Sequence, residues 1–467
     1  MGLSAAMEIG KNGLTIYRVA SEVTSENIAN VNTPGYSRQR VILETAPPTT
    51  ANGFPMGTGV KIATVERYYD GLLQQQMVNA QTSQGFDTTK SAVLQQIEPA
   101  FNEIVNDGIG VAISNFFGSW QDLTVNPTGT AERQSVITNA QILTDNFRMI
   151  SRTLNDTIAQ QNSSLVPLVD SINATLKDIA QLNGQIKTTE LVSGNANETR
   201  DRRDQLVRDL SKQVGITFTE NVDGTTDIRL AGSGDPLVTG STAGAFSLDK
   251  TTNPTRFAVE LTPVGGALLT PLVPQPTTGQ LGATLVLRDT IVPSYQVQVD
   301  DLAATITAQV NAVHTAGLDL GGNPGQNLFD PAGVTAATFG LNPAIGTTEI
   351  AAATIPSAAL FNGDNGNALQ MTKLHSQKLM AGGTLTLNGF LDGLISKIGL
   401  DVASSKKTVS QDEAFGKQLT ALRESNSGVS LDEELTNLIK YQRSYQASAK
   451  LISTATEMMD TVLGMIR

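Results

Sequence analysis

From Ser430 to Arg467 apolar positions recur with alternating spacings of four and three: Leu431, Leu435, Leu438, Gln442, Tyr445, Ala449, Ile452, Thr456, Met459, Leu463, Ile466. This heptad seam predicts one long helix. No Pro or Gly interrupts it before Gly464, so it would span about 50 Å. Ser430 and Glu433 form the pattern of a capping box, and Asp432, Glu433 and Glu434 suit the positive end of the helix dipole. The first thirty residues carry a second seam: Leu3, Met7, Gly10, Leu14, Tyr17, Ser21, Thr24, Ile28, Val31. Gly10 and Gly13 each cost about 1 kcal/mol of helix propensity relative to Ala. A parallel line of Ile9, Ile16 and Val23 predicts two neighbours for this helix. Polar Ser21, Thr24, Gln442 and Thr456 weaken a simple two-stranded coil and can fix its register. Two such seams predict helices that pair with each other and with further molecules; two ordinary core helices are the alternative.

Between the ends the pattern changes several times. Residues 46–59 are rich in Pro, Gly and Thr and read as a linker, and Val60 to Val65 alternates like a strand. Helical patterns cover 69–106 with interruptions, 130–189 with a break or kink at Pro167, and 197–214. From Gly215 short β-type runs (216–219, 226–230, 257–261) alternate with turns until about Leu287. Helix returns at 292–316, a further run covers 351–359, and 362–367 is a turn cluster. Helix resumes from Ala368 to about Ser425 with a break near Gly382 and Gly383. The expected fold is mainly α with a β-rich insert, elongated and multidomain. A terminal coiled-coil domain takes 1–45 with 426–467. A helical bundle takes 46–214 with 288–425, with small loop and β excursions near 317–350. The β domain inserted in the bundle takes 215–287.

Composition narrows the function. The 467 residues carry a net charge of −12, which argues against nucleic acid or an anionic membrane as partner. No run approaches the ~20 apolar residues of a membrane span. The first residues lack the basic start and continuous apolar stretch of a secretory signal. Cysteine is absent, which suits either a reducing compartment or passage out of the cell without disulfides.

One motif is sharper. The first helix runs into Ser25-Glu26-Asn27-Ile28-Ala29-Asn30-Val31-Asn32-Thr33-Pro34-Gly35-Tyr36-Ser37-Arg38-Gln39. Pro34-Gly35 signals a type II turn that throws Tyr36 into an extended segment. This segment resembles the N-terminal motif of the bacterial flagellar axial proteins of rod, hook and hook-associated type. Leu438 to Lys450 resembles the matching C-terminal motif. Arg67-Tyr68-Tyr69-Asp70, Arg202 to Leu206 and Gly363 to Leu369 point within that group to the hook-associated family of the hook–filament junction.

The resemblance implies a secreted structural subunit of the extracellular flagellum, exported by the flagellar apparatus without a cleaved signal peptide. Implied partners are copies of itself, the hook subunit, the neighbouring junction protein leading to the filament, and an export chaperone on the C-terminal helix. No nucleic acid, membrane or cofactor is expected. The expected assembly residues are Leu3, Met7, Leu14, Tyr17, Ile28, Val31, Leu435, Leu438, Tyr445, Ile452, Met459 and Leu463. The expected motif turn is Asn30, Asn32, Thr33, Pro34, Gly35 and Tyr36. Other readings are a rod, hook or filament subunit, or a secreted coiled-coil adhesin or translocator. Catalysis is not expected: His314 and His375 lack metal-like spacing and read as packing or surface residues, and no carboxylates pair across a cleft.

Overall fold

The computed structural model describes residues 2–51, 54–102, 108–192, 194–354 and 363–466. The N-terminal helix α1 (Gly2–Ala29) leads into β1 (Gln39–Thr45), which pairs antiparallel with β4 (Val60–Arg67) around a bulge after Ile42. Between them β2 (Thr49–Ala51) and β3 (Phe54–Met56) pair as well. Within the segment expected as a linker, Thr49–Ala51 and Phe54–Met56 therefore pair as short strands.

Helices α2 (Gly71–Ile97), α3 (Ile109–Val125), α4 (Thr130–Val192) and α5 (Asn197–Gln213) follow. Asp70 caps α2, accepting from the amides of Leu72 and Leu73. The helical pattern expected over 69–106 ends in a short 3₁₀ turn at Glu98–Phe101, and residues 103–106 lie outside the described residues. Helix α3 was not among the expected elements, although Ile109, Ala112, Ile113, Phe116, Phe117, Trp120 and Leu123 recur at helical spacing and are buried. Of the break or kink expected at Pro167 the break is absent: helix α4 runs unbroken through that residue. Pro167 and Ser163 both face solvent, so water can satisfy the carbonyl that proline leaves without a donor.

Strands β5 (Ile216–Glu220), β6 (Thr226–Leu230), β7 (Pro236–Thr239) and β8 (Thr242–Ala243) form an antiparallel sheet in that order, and β9 (Ala245–Asp249) pairs with β10 (Ala258–Thr262). Helix α6 (Gly279–Val286) occupies the end of the stretch read as β-rich, and a π turn at Leu287–Ile291 joins it to α7 (Val292–Ala316). The excursion near 317–350 makes isolated bridges, among them Phe329 with Leu341. The run expected over 351–359 lies beyond residue 354 outside the described residues, as does Asn362. Helices α8 (Gly366–Ser376), α9 (Leu387–Ser427) and α10 (Leu431–Ile466) complete the chain.

Two large cores hold the body. The first gathers α3, the first half of α4, α7 and the start of α9 around Phe116, Trp120, Phe147, Phe329 and Phe339, all fully buried. Phe329 and Phe339 ring centres lie 4.7 Å apart. The second lies where the other half of α4, with α5 and α6, packs on the strands. One 63-residue helix thus serves both cores. A small cluster of Leu73, Met77 and Leu419 joins α2 to α9. Both histidines pack: His314 is buried against Trp120, and His375 stacks on Phe117.

Candidate functional site: the terminal coil and its seat

Helices α1 and α10 pair along their length. The pairing is antiparallel: Asn27 meets Glu434, Tyr17 stacks on Tyr441, Gly13 meets Ser448, and Gly10 meets Ile452. A Cβ on Gly10 would sit 2.6 Å from Ile452 Cγ1, and one on Gly13 would sit 2.6 Å from Ser448 Oγ. The glycines that weaken α1 as an isolated helix are thus the points where α10 comes closest. Their lost propensity is offset by van der Waals contact along a narrow seam.

The seam differs in phase from the sequence expectation. On α1 the buried line is Gly10, Ile16, Ala20, Val23, Thr24 and Asn27, while Leu3, Met7, Leu14, Tyr17, Ile28 and Val31 are half-buried. The second neighbour expected from Ile9, Ile16 and Val23 is the β1–β4 hairpin, with Ile9 against Gly59. On α10 the line toward α1 runs through Glu434, Tyr441, Ser448, Ile452 and Ala455. Leu438, Ile452 and Met459 are half-buried, whereas Leu435, Tyr445 and Leu463 are exposed, at 48%, 40% and 58%. Heptad counting chose the longest apolar line, but small and polar residues allow the closer approach and took the centre. The capping box expected at Ser430 and Glu433 also changes. Glu433 is taken by Arg38, at 2.7 Å.

The motif turn seats this coil. Thr33 and Asn30 close on each other through Thr33 Oγ1 to Asn30 Oδ1, at 3.0 Å. Tyr36 N donates to Thr33 O, and Gly35 takes φ +86°, as the third position of a type II turn requires. Asn32 and Pro34 stay exposed. Tyr36 then turns back, its hydroxyl donating to Asn27 Oδ1 at 2.9 Å. Buried Asn27 also accepts from Gln39 N and donates to Gln39 O and Glu434 Oε2. One asparagine therefore ties α1, β1 and α10 together. Arg38 completes the tie with Glu434, whose side chain is shut from solvent. Burial works against the charge of Arg38, but Glu434 and Glu433 outweigh it and raise its pKa.

A second ring of contacts fixes the coil to the body. Ser37 donates from its amide and hydroxyl to Asp201 on α5, at 2.7 and 2.8 Å. Arg67, at the end of β4, grips Asp201 and Asp204 at 2.6 and 2.7 Å with its side chain almost buried. Burial opposes its charge too, and the two aspartates more than restore it. From α9, Arg423 donates to the carbonyls of Gly35 and Tyr36. Beside this seat Glu26 and Glu198 line one groove with Tyr36. A hydrogen bond with Glu198, then burial, then the Glu198 charge push Glu26 up to about 7. Asn27, Ser37, Arg38, Gln39, Asp201, Arg423 and Glu434 were not singled out as site residues from the sequence. For Asn27, Ser37, Arg38 and Gln39 the signal was there in the polar blocks flanking the turn, which carry the family resemblance.

Residues 94–329 match the family described as flagellar hook-associated protein FlgK helical domain. Residues 423–465 match the flagellar basal body rod FlgEFG protein C-terminal family, and residues 7–36 match the flagella basal body rod protein family. The chain is 27% identical to flagellar hook-associated protein 1 of Salmonella typhimurium, covering 99% of this chain and all of that one. It is 27% identical to the Bacillus subtilis protein of the same name, covering 98% and 97%. The solved structure of the flagellar hook junction protein FlgK from Burkholderia pseudomallei superposes with a TM-score of 0.67 at 19% identity, over 76% of this chain and 100% of that chain.

Proposed function

The chain belongs to the flagellar hook-associated protein FlgK family and is a structural subunit of the bacterial flagellum at the hook–filament junction. From that premise we propose that the α1–α10 coil is its assembly module and that the seat at Asn27, Tyr36, Arg38 and Glu434 sets the angle at which the coil leaves the body. The observation that carries this reading is the contrast in burial. The body closes over Phe116, Trp120, Phe147, Tyr295, Phe329 and Phe339, whereas α10 leaves Leu435, Ile439, Leu451, Met458, Val462, Leu463 and Met465 open to contact. Each Leu buried there on assembly would contribute about 1.5–3 kcal/mol.

The terminal coil domain is taken as 1–45 with 426–467, the helical body as 46–214 with 288–425, and the insert as 215–287. The partners in this reading are copies of the chain, the hook subunit on one side and the next junction protein toward the filament on the other. An export chaperone covers α10 before the chain leaves through the flagellar export apparatus. No catalytic step belongs to this role. Cells without the protein are expected to keep a hook and shed unpolymerised filament protein into the medium. A strain without it that still builds attached filaments would overturn the reading.

A further inference from the structure

Leu438 and Tyr445 sit one heptad apart on α10, and α1 faces them with Arg18, Ser21, Glu22 and Ser25. These partners are too small or too occupied to cover them. Ser21 and Ser25 turn their hydroxyls back onto the carbonyls of Tyr17 and Ser21. Arg18 and Glu22 hold each other at 3.2 Å. The result is an open groove of about 600 Å³ with an apolar floor and a rim that includes Gln442 and Gln446. On the opposite flank of α10, Leu451, Met458 and Met465 form a ridge with the same heptad spacing, exposed at 42%, 55% and 80%.

We propose that the ridge of one copy of this chain docks in the groove of the next, Leu451 over Leu438 and Met458 over Tyr445. The inference rests on the reading of the coil as an assembly module and names the contact that module makes. Groove and ridge match in heptad spacing, which lets i and i+7 side chains interdigitate. They lie on opposite flanks of one helix and continue the α1–α10 seam on either side. The contact is therefore heterologous, and a heterologous contact propagates from copy to copy. Neighbours are staggered by about 20 Å along the coil axis at 1.5 Å per residue.

The absence of cysteine makes the contact directly testable. In a Gln442→Cys, Met458→Cys chain the two thiols lie about 24 Å apart on one helix. A disulfide spans at most about 7 Å between Cα atoms, so a crosslink can join only different copies. Oxidation of isolated hook–filament junctions is expected to give dimers and higher ladders from the double variant and none from either single variant. Junctions that assemble with the double variant but give no ladder overturn the inference. So does dimerisation of either single variant, which would mean a symmetric contact. A chain that never reaches the flagellum even unmodified sinks the underlying assembly reading instead. Should the double variant not assemble, Ser25→Trp decides. It fills the groove of a solvent-facing position, and incorporation is expected to fall at least about tenfold with unchanged melting of the soluble protein. Incorporation equal to that of Glu8→Trp, an exposed position on α1, would show that nothing occupies the groove.

Discussion

The core beneath α3 and the coil of α1 with α10 are both helix-on-helix packing, yet they solve opposite problems. The core is dry and aromatic, with Trp120, Phe116, Phe147, Phe329 and Phe339 completely enclosed. The coil centres on Gly10, Gly13, Ser448 and Ala455, buries Asn27 and Glu434 beside Ile16 and Val23, and leaves Leu435, Leu451, Met458 and Leu463 of α10 exposed. A core of the first kind is stable alone. A seam of the second kind holds two helices in register and leaves apolar area exposed, with polar residues fixing register at some cost in stability.

The largest effect that would test this contrast is a cavity in the core. Phe329→Ala should lose about 3–5 kcal/mol, because the tilted rings of Phe116 and Phe339 on either side cannot collapse to fill the space. Thermal melting of the soluble chain would read this loss. A change below 1 kcal/mol would mean that the body is looser than its burial implies. The seat comes next. Arg67→Ala strands Asp201 without its cation and leaves Asp204 with Arg203 alone, a defect worth about 3–5 kcal/mol when a buried pair is broken. Here the cost is expected to appear as faster amide exchange in α1 and β1, with the aromatic core still protected. Equal loss of protection everywhere would erase the distinction between seat and body.

At the seam, Gly10→Leu drives a side chain into Ile452 and should cost about 1–3 kcal/mol despite its better helix propensity. Exchange along α10 would report it, and a stabilised coil would show that the close approach is not required. A smaller effect separates the two regions by pH. Burial lowers the pKa of His314 to about 4, so its contribution to the body is complete above the ordinary value near 6.5 and is lost as pH falls from there toward 4. Glu26 is raised to about 7, so its contribution to seating the coil is complete below about 4.5 and is lost as pH rises through 7. Acidification from 7 to 5 should therefore weaken the body while tightening α1 on α5. His314→Gln should flatten the first trend in melting curves, and Glu26→Gln the second in α1 exchange. Parallel slopes in both regions would contradict the assignment. The smallest effect belongs to Leu435→Ala, within about 0.5 kcal/mol for the soluble chain because the residue is exposed. A larger loss would place Leu435 in an intrachain core.

Local pattern was enough for much of this chain. The heptads set α1 and α10 within a residue or two of their observed ends, because a long periodic stripe has no other way to bury itself. Pro34-Gly35 dictated the turn, because only glycine takes φ +86° there without strain. The stripe of α3 was within reach of the sequence too: Ile109, Ala112, Ile113, Phe116, Phe117, Trp120 and Leu123 recur at helical spacing opposite exposed Asn115, Gln121 and Asp122. Pro167 read as a break because the sequence does not say that Ser163 faces water.

The phase of the coil was beyond sequence reach for a related reason. Periodicity ranks positions by hydrophobicity, whereas the helix–helix distance is set by which residues are small. Gly10 against Ile452 and Gly13 against Ser448 are decided by fit. The seat depended on tertiary structure most of all. Asn27 and Glu434 lie 407 residues apart, and Ser37 and Asp201 lie 164 apart, at hydrogen-bond distance only because the fold closes the chain on itself. Sequence alone determined most of the helical segments, α3 and α6 excepted, the turn at Pro34-Gly35 and that the two ends belong together. The tertiary structure decided which faces of those helices are spent inside the molecule and which stay exposed, because burial is a property of neighbours and not of residues.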